Sequence, residues 1–346
     1  MNGVEAGGDD HDLDLRRGSE RRLRRAWRSG RPGPGLRAAG LLYALAAEAR
    51  GFLYESGVAA ARRPPIPVVS VGGLTVGGSG KTPVTAALAD ELEAPGRRSA
   101  VVTHGYADEL AVHRRLGPDR PVLGGRDRTG AVGRAAARGA DVAVVDSGLQ
   151  RRRMARAVEV VAVGSRDARS RGRLPAGPMR EGWWGLGRAD VVVLTRRPAA
   201  PPFPGGFGAW LRERVPRAAV AACEIRAAGL APVNRAAAAV DEPAPAVAVA
   251  SVMHPEPFFR ALEERGLEPG LRVRAPDHGR PDPETLRALV ERAGRRGIVG
   301  TLKDVVKLEG AVGEATPVWF LRDEVAWTRG RRAMIRRVEN ILEETP

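Results

Sequence analysis

Residues 66–90 constrain this chain more than any other stretch. A short apolar run, Val68 to Val71, enters a glycine-rich turn, and the turn opens a segment in which Val84, Leu88 and Leu92 recur at helical spacing. Strand, glycine loop and helix in that order make an anion cradle. Gly77, Gly78 and Gly80 let successive N–H groups converge on one anion, and the helix N-terminus adds its partial positive charge. Lys81 is placed to reach the β- and γ-phosphates of a nucleotide, and the Thr82 hydroxyl to ligate Mg²⁺. One position departs from the generic loop, which has glycine where this chain has Thr75.

Composition sharpens the reading of Lys81. The chain has 53 Arg and three Lys, at 81, 303 and 307. Where the two cations are interchangeable this chain uses Arg, so a retained Lys marks a position that needs a compact ammonium rather than a planar fork. Lys81 fits that expectation; Lys303 and Lys307 either fit it too or survive by chance.

Downstream, Val142 to Asp146 is a second apolar run ending in a carboxylate, the form of a buried strand that delivers Asp146 beside the loop to hold Mg²⁺ or its water. Further apolar runs at 99–103, 158–163 and 191–194 alternate with helical segments. The pattern predicts an α/β fold: a P-loop NTPase-like parallel sheet with helices on both faces and ligands at the carboxyl ends of its strands. After turn-rich stretches at 198–206 and 243–245 a second, smaller α/β lobe is expected, with strands near 246–250, 271–274, 297–300 and 318–321. Its helix over 283–293 has Asp282 as N-cap and Pro283 at the first position. The expected division is a disordered basic arm over 1–33, an amphipathic helix over 34–60, a core over 61–230 and a C-terminal lobe over 231–346.

Within 36–54, Leu41, Leu42, Leu45, Phe52 and Leu53 are interrupted by Glu48 and Arg50, too short and too charged a run to span a bilayer. Two readings fit: a helix lying on an anionic membrane surface with the preceding arginines on headgroups, or an amphipathic helix packed on the core. The net charge of +15 favours an anionic partner, and an anionic membrane ranks first. Aromatics at 4% are too few for a base-stacking platform and no nucleic-acid motif is present, so no nucleic-acid partner is expected. The single Cys223 excludes an internal disulfide framework or a cysteine-built metal site. The loop from Arg171 to Glu181 is rich in Arg, Pro and Gly. Its arginines, Arg173 and Arg180 among them, suit a phosphorylated substrate or a solvated surface. His11, His104 and His113 read as structural or solvated.

Together the segments 75–83, 146–150, 172–181, 255–259, 277–278 and 301–308 resemble the tetraacyldisaccharide 4′-kinases of lipid A synthesis, over about Leu36 to Leu321. Thr75 is what that family's loop carries. The resemblance implies an ATP- and Mg²⁺-dependent kinase of a membrane-embedded glycolipid, tetraacyldisaccharide 1-phosphate, peripheral on the cytoplasmic face of the inner membrane. It implies nucleotide binding by Thr75, Gly77, Gly78, Ser79, Gly80, Lys81 and Thr82. Asp108 would be the general base, oriented by His278, and Glu109 would join Thr82 and Asp146 at the metal. Departures from the family pattern are Ser147 for a second aspartate, Arg151 for a histidine, Gly73 and His254 for asparagines, and a short segment before Asp108. They keep open a degenerate relative that binds nucleotide or lipid without turnover. A soluble nucleotide-switch protein is the other alternative.

Overall fold

Strands form where apolar and β-branched residues run without a break. In a computed structural model, which describes residues 11–276 and 281–345, they are β1 (Asp12–Asp14), β2 (Val68–Gly72), β3 (Ser99–Thr103), β4 (Val122–Gly124), β5 (Val142–Asp146), β6 (Val158–Gly164), β7 (Val191–Arg196), β8 (Ala219–Pro232), β9 (Val247–Ala250), β10 (Leu271–Arg274), β11 (Ile298–Thr301) and β12 (Val318–Arg329). The chain divides into two units. The larger holds 22–225 and 325–346; the smaller runs up to Arg21 and resumes over 226–324.

The larger unit carries the order β8-β7-β6-β2-β5-β3-β4, with parallel pairing from β8 through to β4. β2 is central, with Val69 opposite Val144 on one side and Val158 on the other. Alternation sends neighbouring valines to opposite faces. Val69, Val71, Val144 and Val160 meet Val84, Leu88 and Leu92 of the helix Lys81–Glu93, while Val68, Val145 and Ala143 meet Ala131, Val132 and Ala135 of the helix Arg128–Ala136. Each fully buried leucine or valine contributes roughly 2 kcal/mol. Both faces are therefore covered, as the uninterrupted apolar runs predict.

The smaller unit carries the remaining run of parallel pairs, β1-β10-β9-β11-β12. Asp282 accepts from the amide of Thr285 at 2.9 Å and caps the helix Pro283–Ala293 as expected. At the carboxyl ends of β9 and β11, Asp304 accepts from Ser251 Oγ and, at 2.6 Å, from Thr301 Oγ1, while Lys307 Nζ donates to Ser251 Oγ at 2.8 Å. Lys307 is buried among these groups, where its compact ammonium reaches the Ser251 hydroxyl.

Two boundaries differ from the sequence reading. The expected core of 61–230 and lobe of 231–346 give way to a division that cuts β8 after Ile225 and β12 after Glu324. Residues 325–346 join the larger unit because Met334, Val338 and Leu342 of the helix Arg331–Glu344 are buried in the cluster of Val69 and Val160. The predicted disordered arm over 1–33 is, over 11–33, largely structured. β1 pairs with β10, Leu13 and Leu15 pack on the smaller unit's core, and Arg16 grips Asp14 at 2.6 Å. The helix Gly18–Ser29 follows, with Arg24 buried and Trp27 Nε1 donating to Pro175 O at 2.8 Å.

The helix Pro34–Glu55 inverts the usual amphipathic arrangement. Its buried residues are small: a Cβ on Gly40 would stand 2.9 Å from Ala176 Cβ, and one on Gly51 3.2 Å from Arg152 Nη2. Arg152 Nη1 fastens it by donating to Gly51 O at 3.1 Å and Glu55 Oε1 at 2.7 Å. Its large apolar side chains point outward, with Leu41, Leu42, Leu45 and Phe52 at 64–69% exposure. Of the two readings left open by the sequence, packing of these residues on the core is excluded. No helix among the described residues is long and apolar enough to cross a membrane.

Candidate active site

The glycine loop lies between β2 and the helix Lys81–Glu93, and its conformation requires glycine at two positions. Gly78 has φ 83° and Gly80 φ 72°, and a Cβ on Gly80 would stand 2.5 Å from Ile225 Cδ1. Thr75 is not among the left-handed residues, so the generic glycine is dispensable there. Its side chain has work that glycine could not do. Thr75 Oγ1 donates to Asp167 Oδ1 at 2.9 Å and lies 3.0 Å from Ser79 Oγ, and its backbone bridges to Met179. Asp167 Oδ2 accepts from Gly164 N at 2.8 Å, and Thr195 Oγ1 donates to Ser79 O at 2.9 Å. The loop is thus braced from the ends of β6 and β7. Burial pushes the Asp167 carboxyl up, against the Gly164 amide, the Lys81 charge and the Ser79 and Thr75 hydroxyls.

The strand end at β5 delivers Asp146 as the sequence predicts. Thr82 Oγ1 donates to Asp146 Oδ2 at 2.9 Å. The same oxygen lies 2.9 Å from His113 Nε2, and Ser147 Oγ donates to Oδ1 at 3.0 Å. Burial raises the Asp146 carboxyl, but the His113 and Thr82 contacts and the Lys81 charge outweigh it and hold it at about 2. Ser147 is left-handed, φ 59°, which turns the chain sharply after the carboxylate. Arg128 Nη1 donates to the carbonyls of Asp146 (3.1 Å) and Ser147 (2.8 Å). Burial and then the charge of Arg151 push its guanidinium down to about 10, Asp146 and Glu109 opposing and Arg180 assisting.

The remaining candidates divide. Asp108 and Glu109 occupy the first turn of the helix Ala107–Leu116, and Glu109 Oε2 accepts from His104 N at 3.3 Å. His104 stacks on Tyr106 with ring centroids 4.7 Å apart, and burial and then Arg128, Arg151 and Arg126 lower its pKa. Arg180 lies close enough to Arg128 to act on its charge, and its amide donates to Leu74 O at 2.7 Å. Arg173 turns instead to the helix Pro34–Glu55, with Nη2 3.5 Å from Glu48 Oε1. Asp277 and His278 lie outside the described residues. His113, read from sequence as structural or solvated, is buried at Asp146, and Asp167 and Arg128 were not singled out at all.

The donor set suits a nucleotide and a hard cation. The Thr82 hydroxyl gives its one proton to Asp146, which leaves its lone pairs for a cation. Among the described residues no three acidic, His or Cys side chains converge on one point, so protein ligands would come from Thr82 and Asp146 with phosphate oxygens and water completing an octahedron, as Mg²⁺ prefers.

A family model, tetraacyldisaccharide-1-P 4′-kinase, matches residues 34–121 and 108–343. The chain is 34% identical over 307 residues to a tetraacyldisaccharide 4′-kinase of Chromobacterium violaceum, covering 81% of this chain and 86% of that protein. It is 34% identical over 348 residues to one from Anaeromyxobacter dehalogenans, covering 89% and 92%. In fold it resembles a crystal structure of LpxK from Aquifex aeolicus in complex with ATP, with TM-score 0.65 and 22% identity over 88% of this chain and 98% of that one. With a glycine loop braced by Thr75 and a family match running from 34 to 343, the chain belongs to the tetraacyldisaccharide-1-P 4′-kinase family.

Proposed function

We propose that the protein is the 4′-kinase its family membership indicates, transferring the γ-phosphoryl group of ATP to the 4′-hydroxyl of tetraacyldisaccharide 1-phosphate. The observation that carries this reading is the Thr82–Asp146 pair at 2.9 Å beside a glycine loop, in a chain that the family model matches from 34 to 343. ATP supplies the phosphoryl group, and Mg²⁺ offsets the charge on its phosphates. Lys81 and the loop amides bind and orient the phosphates, and Thr82 and Asp146 hold the cation, with Glu109 as an outer carboxylate. Asp108 accepts the proton of the 4′-hydroxyl as its oxygen bonds to the γ-phosphorus and the bond to the β-phosphate oxygen breaks, releasing ADP. Arg180 binds the substrate on its anionic side; Arg173, engaged with Glu48, has a lesser part.

The outward side chains of the helix Pro34–Glu55 support a peripheral position on an anionic membrane, the cytoplasmic face of the inner membrane, where an acylated substrate resides. The test is γ-phosphate transfer from labelled ATP to tetraacyldisaccharide 1-phosphate in detergent micelles. The parent transfers; Lys81→Ala and Asp108→Ala lose at least a hundredfold. A folded parent that binds ATP and transfers nothing refutes the kinase reading in favour of a degenerate binder. Full activity in Asp108→Ala places the base elsewhere.

A further inference from the structure

The helix Ala107–Leu116 carries Asp108 and Glu109 in its first turn and His113 in its last. His113 is 2% exposed, and its Nε2 lies 2.9 Å from Asp146 Oδ2. A carboxylate only accepts, so Nε2 carries the proton and donates. The ring's other nitrogen, Nδ1, is buried without a hydrogen-bond partner. An orphaned buried nitrogen costs about 1–3 kcal/mol, which a leucine of similar volume in the same place would avoid. Packing alone therefore does not account for histidine here; the bond to Asp146 does.

That bond completes the fixing of one carboxylate from three segments: Thr82 from the loop helix, Ser147 from the turn after β5, and His113 from the helix that begins with Asp108. The geometry points to His113 as a positioning residue of the cation site: it fixes the rotamer in which Asp146 is presented beside Thr82, and ties to that carboxylate the helix carrying Asp108. The inference rests on the reading of Thr82 and Asp146 as cation ligands. Outer partners of ligating groups typically govern 10–100-fold of metal affinity.

The test measures the affinity of the full chain for a fluorescent ATP analogue in EDTA and in Mg²⁺; the ratio of the two reports the cation. Expected are a parent whose binding tightens with Mg²⁺, a His113→Leu variant that loses about tenfold of that gain while its EDTA affinity stays within twofold, and a His113→Gln variant, whose amide reaches the Nε2 position, that keeps the gain within about threefold. Equal gain in His113→Leu and parent overturns the inference, as does an equal fall in EDTA affinity or a Gln variant no better than Leu. If His113→Leu does not fold, His113→Asn, whose amide stops short of that position, takes its place with the same expected loss; retention of the full gain in it overturns the inference. A folded parent that binds no nucleotide refutes instead the phosphoryl-transfer reading beneath it, which keeps the two failures apart.

Discussion

Glu159 sits near the start of β6, 3% exposed, in a sheet buried on both faces. Ser70 Oγ donates to its Oε1 at 2.7 Å and Arg156 stands 2.8 Å from its Oε2. Burial nonetheless outruns both and pushes the carboxyl from 4.5 up to about 7. At about 1.4 kcal/mol per pH unit, that displacement is worth ~3 kcal/mol. The sign follows from proton uptake. Below pH 4.5 folded and unfolded chains both hold the proton and the contribution is fully present; as pH rises towards 7 only the folded state keeps it, so stability falls, and above about 8 the loss is complete. Glu159→Gln is neutral at every pH and removes this slope, while any fixed difference between an amide and a protonated carboxyl cancels in the comparison. Urea unfolding of parent and variant, followed by tryptophan fluorescence at pH 4.5, 6 and 8, should show the variant gaining on the parent by ~3 kcal/mol across that range. Parallel pH profiles would refute the argument, and would mean that Arg156 keeps the carboxylate ionised throughout.

Gly80→Ala should abolish nucleotide binding and lower stability by roughly 2 kcal/mol or more, since φ 72° costs alanine about 1–2 kcal/mol and its Cβ collides with Ile225; binding within threefold of the parent by equilibrium titration counts against the loop geometry. Replacing Leu41, Leu42, Leu45 and Phe52 together by Ser should cut sedimentation with phosphatidylglycerol vesicles by about tenfold and leave the melting temperature within roughly 2 °C, because these side chains are already exposed. A large fall in melting temperature would show that they are packed.

The phosphate loop was legible because its signal is local: strand, glycines, lysine and helix follow one another within 25 residues, and Asp146 was legible as the polar end of an apolar strand. The braces were not. Thr75 and Asp167 are 92 residues apart, and His113 and Asp146 33 apart, so only the packed fold brings them together. Arg128 had no way to stand out among 53 arginines. β8 escaped notice because Ala219–Pro232 is built largely from alanine, with Val220 and Ile225 its only β-branched residues, and a strand of small residues carries almost no local preference. The helix Gly18–Ser29 reads as a solvated basic run until Trp27 is seen reaching Pro175.

The helix Pro34–Glu55 separates two demands that most helices must meet with the same residues. What fixes it to the protein is smallness, at Gly40 and Gly51, and what it shows the outside is bulk. Drift on the outer surface is therefore invisible to folding, so what that face meets can change without repacking the enzyme. The same freedom serves the bench: a version that stays dispersed without detergent can be sought by recoding the outer face alone, whereas a single methyl group on the inner face at Gly40 would lift the helix off the loop that borders the phosphate site.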